Sequence, residues 1–181
     1  SISMTSTLLP NSNLLARFWD KPQHTRIVST QVIPTDTLDH VLEESGILLD
    51  AIKIDVQGGE QSILDGARES FKRSVITAEI ELSFLERYSG LTRFHEVVGF
   101  MDGLGFDLID IGRIKRYRYR NNAGIVNPGL GLGDRAGRIA FCDATFMLRD
   151  EALRDRLLSS APANGEHAAL KAILLMLVHG K

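Results

Sequence analysis

The chain predicts a mixed α/β fold with a parallel sheet centre, an antiparallel edge and helices added at the C-terminus. Two observations carry this. Between Thr25 and Ile111, short β-branched runs alternate with segments at helical spacing. The later runs, "KRYRYR" and "RIAFCDATFML", follow without a helix between them. Such an alternation, ending in adjacent strands, is the pattern of a sheet whose parallel core gains an antiparallel edge.

Each element has its own justification. "RIVSTQVI" reads as a strand, and Thr37 or Asp39 is placed to cap a short helix that ends at Gly46. "DAIKID" is too apolar to have one wet face and fits a central strand. Helical spacing resumes from Glu60 to Leu64 and is interrupted at Gly66. "SVITAEIEL" is a second β-branched run. In "TRFHEVVGFMDGLG", Phe94, Val97, Val98, Met101 and Leu104 define an amphipathic helix with Thr92 as cap and Gly105 as stop. His95 falls on its polar face. "FDLIDI", "KRYRYR" and "RIAFCDATFML" are a third, fourth and fifth strand, and 150–181 reads as two helices broken at "SSAPANG".

Composition bounds the function. With 181 residues, 44% hydrophobic and 24% charged, the chain suits one globular domain with a real core. A net charge of −2 supplies no general field for nucleic acid, which argues against that partner. The single cysteine, Cys142, permits no internal disulfide. The N-terminus lacks the pattern of a signal peptide, and the apolar run "AILLMLV" is too short to span a bilayer. A cytoplasmic protein is the expectation.

The segments "TLDHVL", "IKIDVQGGEQSILDGA", "TAEIELSFLERYSGLTRFHEVVGFMDGLGFDLIDI" and "CDATFMLR" stand in an order and spacing that resemble the FkbM-type methyltransferases. That family is similar to other Rossmann-like S-adenosylmethionine enzymes of class I. The resemblance spans Thr35 to Arg149. It implies three parts: an irregular segment over 1–24, a partial methyltransferase domain over 25–149 and a C-terminal helical appendage over 150–181.

The resemblance also implies the site. Asp55 ends the family's fourth strand where cofactor and acceptor meet, and the turn Asp55, Val56, Gln57, Gly58 lies on the S-adenosylmethionine side with its backbone amides toward a ligand. Asp55 and Glu79 are the catalytic candidates, while Glu60, Glu81 and Tyr88 are candidates for the acceptor side. Ligands of such sheets sit beyond the strands' carboxyl ends, where Asp55, Gln57, Glu79 and Glu81 are expected. Many relatives carry glutamate at Gln57, and an amide cannot take a proton, so any base here has to be Asp55 or a neighbouring carboxylate. Glu60 has a plainer role as a helix cap, Glu81 as a solvated surface group, and Asp143 as a group bonded to backbone. No metal is implied.

The family's glycine-rich cofactor loop has no counterpart before Thr25, so the reading is of a fragment that carries the acceptor-side half. The expected reaction is O-methylation of a carbohydrate or natural-product-like acceptor. The alternative is a non-catalytic binding or oligomerisation module. "NPGLGLGD" is read as a flexible loop, since neither a strand precedes it nor a helix follows it. "RIKRYRYR" is read as a solvated strand guarded against edge pairing. An open sheet edge at "AIKID" and the apolar stretch Ala168 to Val178 together predict a homo-oligomer.

Overall fold

The computed structural model describes residues 5–19, 21, 25–119, 137–159 and 173. In chain order the elements are α1 (Ser12–Leu15), α2 (Leu38–Ser45), β1 (Ala51–Ile54), α3 (Glu60–Asp65), α4 (Arg68–Arg73), β2 (Thr77–Ser83), α5 (Phe94–Gly103), β3 (Phe106–Tyr117), β4 (Arg138–Leu148) and α6 (Asp150–Ser159). The four strands form one sheet in the order β1-β2-β4-β3.

The sheet corrects the expected arrangement. β1 and β2 pair in parallel, but β1 is an edge strand, and both remaining ladders, β2 with β4 and β4 with β3, are antiparallel. The parallel pair therefore lies at one margin of the sheet and not at its centre. The edge position also explains why Ala51 and Lys53 are exposed while Ile54 is buried. "RIVSTQVI" forms no strand: residues 26–33 are exposed, and Val32 is fully so. A β-branched run becomes a strand only where another edge accepts its hydrogen bonds, and none of the described strands pairs with it.

β3 joins "FDLIDI" and "KRY" into one 12-residue strand, where two had been expected. The register slips between Gly112 and Lys115, and Arg113 there has φ 44°. A bulge of this kind adds a residue and bends the strand without ending it.

Alternation on β2 separates two environments. Ala78, Ile80 and Leu82 join Cys142, Ala144, Phe146 and Leu148 of β4 in the core, against Leu64, Phe71, Val97, Met101 and Leu153 from the helices. Phe71 meets Phe106 edge to face at 5.4 Å. The opposite face carries Thr77, Glu79, Glu81 and Ser83, with Asp143 and Thr145 of β4 directly across from Glu81 and Glu79. A period of two places every second side chain on that polar face.

Helix boundaries follow local chemistry. Thr37 Oγ1 accepts from the His40 amide and Gly46 closes α2 at φ 66°. Thr92 does not cap α5: the N-cap is Arg93, whose backbone N–H donates to Glu96 Oε2 at 2.8 Å. Gly105, at φ 88°, then follows the C-cap Leu104. α6 is the first of the two expected C-terminal helices, and Arg156 ties it to the Val75 carbonyl at 2.7 Å. "NPGLGLGD" lies outside the described residues, and so does the second expected helix apart from Ile173, which is helical and exposed. Among the described residues, no helix is long and apolar enough to cross a membrane.

Asp39 caps a helix other than its own. Its carboxylate accepts from the Glu69 and Ser70 amides at 3.0 and 2.8 Å and from the Ser70 hydroxyl at 2.6 Å, so it holds the head of α4 from α2. Burial opposes the charge, but the bonds from Ser70 and the two amides prevail and hold the carboxyl below its usual range. A carboxyl with a lowered folded pKa contributes stability above its unfolded value and loses it as pH falls through the folded one. Asp39→Ala is expected to cost about 1 kcal/mol at neutral pH, with the difference shrinking in acid. Urea unfolding at the two pH values checks this, and equal midpoints for variant and wild type at neutral pH would contradict it.

Candidate functional site

The site begins where β1 ends. Ile54 is buried, Asp55 is exposed, and the next residues reverse the chain: Gln57 has φ 57° and Gly58 φ 113°. That reversal brings Glu60, buried at the head of α3, back onto the loop. Its Oε1 accepts from the Val56 amide at 3.2 Å, and both its oxygens accept from the Gly58 amide at 3.0 Å. The double glycine has a steric cause as well. A Cβ on Gly58 would lie 3.0 Å from the Tyr88 ring, and one on Gly59 3.0 Å from Thr7 Oγ1. Two of the turn's amides, those of Val56 and Gly58, are thus held by the protein's own Glu60 carboxylate.

Side chains at this turn converge. Gln57 Nε2 donates to Asp55 Oδ1 at 2.7 Å and to Glu81 Oε1 at 3.2 Å, and Gln57 Oε1 accepts from the Tyr88 hydroxyl at 3.4 Å. Glu81 corrects the expectation of a surface group: it is 5% exposed and pairs with Arg87, itself 5% exposed, at 2.7 Å. The correction has a cause in the strand. Glu79 and Glu81 lie in the middle of β2, not at its end, and the turn that follows brings a cation back over the second of them. Burial, with Asp55 and Glu60 adding to it, raises the Glu81 carboxyl above its usual range, and Arg87 opposes that rise. Burial also raises the Tyr88 hydroxyl.

Glu79 has a different partner. It forms an exposed ion pair with Lys53 of β1, its cross-strand neighbour. That hydrogen bond raises the Lys53 ammonium above its ordinary value despite partial burial, with help from the charges of Asp143 and Asp55. Asp143 accepts no backbone bond among the described residues, contrary to expectation. Its Oδ2 faces Arg113 at 3.6 Å, and its Oδ1 is buried without a hydrogen-bond partner. The strained Arg113 at the β3 bulge is what aims a cation at it.

The N-terminal segment reaches the same loops. Ser6 Oγ donates to the Gln57 carbonyl at 2.7 Å, the Asn11 amide to the Arg87 carbonyl at 2.8 Å, and the Ser89 amide to the Leu9 carbonyl at 2.8 Å. Leu15 and Phe18 then bury themselves with Leu85, Tyr117 and Ala140. The basic stretch lies on edge strand β3 from Arg113 to Tyr117, where Arg116 donates to the Gly137 carbonyl at 3.1 Å, and its last residue lies outside the described ones. Long cations on an edge strand discourage pairing with another sheet. Among the described residues, no group of three or more His, Cys, Asp or Glu could hold a metal ion.

A model of the methyltransferase FkbM domain matches residues 3–108, more than half of the chain. The chain belongs to the FkbM methyltransferase family. The match takes in the N-terminal segment that threads the site loops, together with β1, β2 and the start of β3. No curated protein and no solved structure matches the chain. Within this FkbM domain, sequence reasoning missed Arg87, Lys53 and Ser6. Glu86 and Arg87 are adjacent charges in one turn, and spacing does not say which points inward; in the fold Glu86 caps the Gly90 amide at 3.0 Å and Arg87 turns into the core.

Proposed function

We propose that this chain forms the acceptor side of an S-adenosylmethionine-dependent methyltransferase that methylates a hydroxyl of a carbohydrate or natural-product-like acceptor. Two parallel strands joined by a helical crossover, β1-α3-α4-β2, are the building unit of a Rossmann-like sheet, and the proposed site lies at the carboxyl end of the first of them. The observation that carries the reading is the Asp55 carboxylate, exposed at that strand end and held through Oδ1 by Gln57.

The donor set suits the cofactor's charge. Asp55 and Glu81, with Arg87 paired to Glu81 among the described residues, favour a cation beside Gln57, and a sulfonium is a cation. When bound, S-adenosylmethionine supplies an electrophilic methyl group. The protein's task is then alignment and one proton transfer. Asp55 Oδ2 accepts no hydrogen bond among the described residues, and it receives the proton of the acceptor hydroxyl as that oxygen gains the methyl group. Gln57 keeps the carboxylate in place, and Tyr88 keeps the amide from turning.

Asp55→Asn preserves the shape and removes the proton acceptor. In a form of the enzyme that turns over, the rate is expected to fall about 10²- to 10⁴-fold, much more than the S-adenosylmethionine affinity, which loses only one of the two carboxylates beside the sulfonium. An unchanged rate would remove Asp55 from the mechanism.

A further inference from the structure

The Gln57 amide directs its N–H bonds to two carboxylates at once, Asp55 and Glu81, while its carbonyl faces Tyr88. It keeps that orientation only while both carboxylates accept. Glu81 is the vulnerable one, because it is buried and burial favours the protonated form. A protonated Glu81 would donate a hydrogen bond, and the amide would gain by turning its oxygen toward that donor. Asp55 would then lose the N–H that fixes it.

We propose that Arg87 is a positioning residue for the Asp55 carboxylate, acting through Glu81 and the Gln57 amide. The contacts form one line: Arg87 Nη2 to Glu81 Oε1 at 2.7 Å, Gln57 Nε2 to the same oxygen at 3.2 Å, and Gln57 Nε2 to Asp55 Oδ1 at 2.7 Å. Arg87 is itself oriented, since its Nε donates to Ser83 Oγ at 2.9 Å and its guanidinium lies 4.1 Å from the Phe141 ring centroid. Among the described residues, the other titratable groups around Glu81 are Asp55, Glu60, Tyr88 and Cys142, with Asp143 directly across on β4. None of them is a cation, and Lys53, one strand away, is engaged by Glu79. Arg87 is the group that keeps Glu81 an acceptor. The catalytic meaning of this line rests on the reading of Asp55 as proton acceptor, whereas the line itself does not.

The test follows the Gln57 side-chain N–H₂ resonances by nuclear magnetic resonance, assigned by their loss in Gln57→Leu. In the wild type they are expected to stay resolved and unshifted from mildly acid to mildly alkaline pH. In Arg87→Met they should move and titrate together with the Glu81 carboxyl, while Arg87→Lys, which keeps the charge, should hold them steady. Should Arg87→Met not fold, the double variant Arg87→Met/Glu81→Gln leaves no charge at either of these two positions, and the resonances are expected away from their wild-type position. Unmoved resonances in a folded Arg87→Met or double variant overturn the proposal.

A second measurement is the pH profile of methyl transfer. Without Arg87 the rate should fall about tenfold or more at every pH where Glu81 is protonated, because the Asp55 carboxylate is then no longer held by the Gln57 amide. Methyl transfer that survives Asp55→Asn, with the resonance result intact, would sink the reading of Asp55 as proton acceptor and leave the positioning one standing.

Discussion

Arg87→Met is expected to destabilise the protein by about 3–5 kcal/mol, the cost of leaving one member of a buried ion pair without its partner. The side chains of Arg87 and Glu81 are 6% and 3% exposed, so water cannot take the place of the lost cation. Adding Glu81→Gln should recover most of the loss, since removing both charges abolishes the desolvation penalty together with the attraction. The sign of the pH dependence is fixed by Glu81. A carboxyl whose folded pKa is raised contributes stability below its unfolded value and loses it as pH rises toward the folded one. Burial already raises Glu81, and removing Arg87 raises it further. The destabilisation of Arg87→Met should therefore be greater in mildly alkaline than in mildly acid buffer. Chemical unfolding at both pH values decides it, and a single variant no less stable than the double one would refute the argument.

Gly58→Ala is expected to cost on the order of 2 kcal/mol or more, because two penalties coincide. At φ 113° the backbone is in a region that side chains rarely adopt, and the added Cβ would sit 3.0 Å from the Tyr88 ring. Both consequences reach the site. Tyr88 has to move, and with it the donor to Gln57 Oε1, while the Gly58 amide risks losing the Glu60 carboxylate that holds the loop. Gly90→Ala is the control: it also has positive φ, at 79°, but its Cβ meets nothing within 4 Å. Thermal unfolding of the pair separates strain from crowding, and equal losses would show that the Tyr88 contact contributes nothing.

The residues that were legible in the sequence are those whose role depends on near neighbours. Thr37 and Gly46 bound α2 as their chemistry requires, and the apolar spacing of Phe94 to Leu104 builds α5. β4 runs over the expected Arg138–Leu148. The helix-cap role read for Glu60 is not what the structure shows: Gly59 is the N-cap without a side-chain bond, and both Glu60 oxygens go to the loop before the helix. The motif order from Thr35 onward identified the family, since it records spacing along the chain and needs no contact.

Tertiary structure alone decided the rest, because these features depend on groups that meet from distant parts of the chain. "RIVSTQVI" has strand propensity but no pairing strand among those described, whereas the weaker-looking junction at Gly112 continues as β3 because β4 lies alongside it. Glu79 and Glu81 share a face of one strand and look alike in sequence. One is half-exposed beside Lys53, while the other is buried because the turn after β2 returns Arg87 over it and Asn11 of the N-terminal segment holds that turn by its backbone. A carboxylate's burial is set by whether a cation and donors arrive with it, and their arrival is a property of the fold.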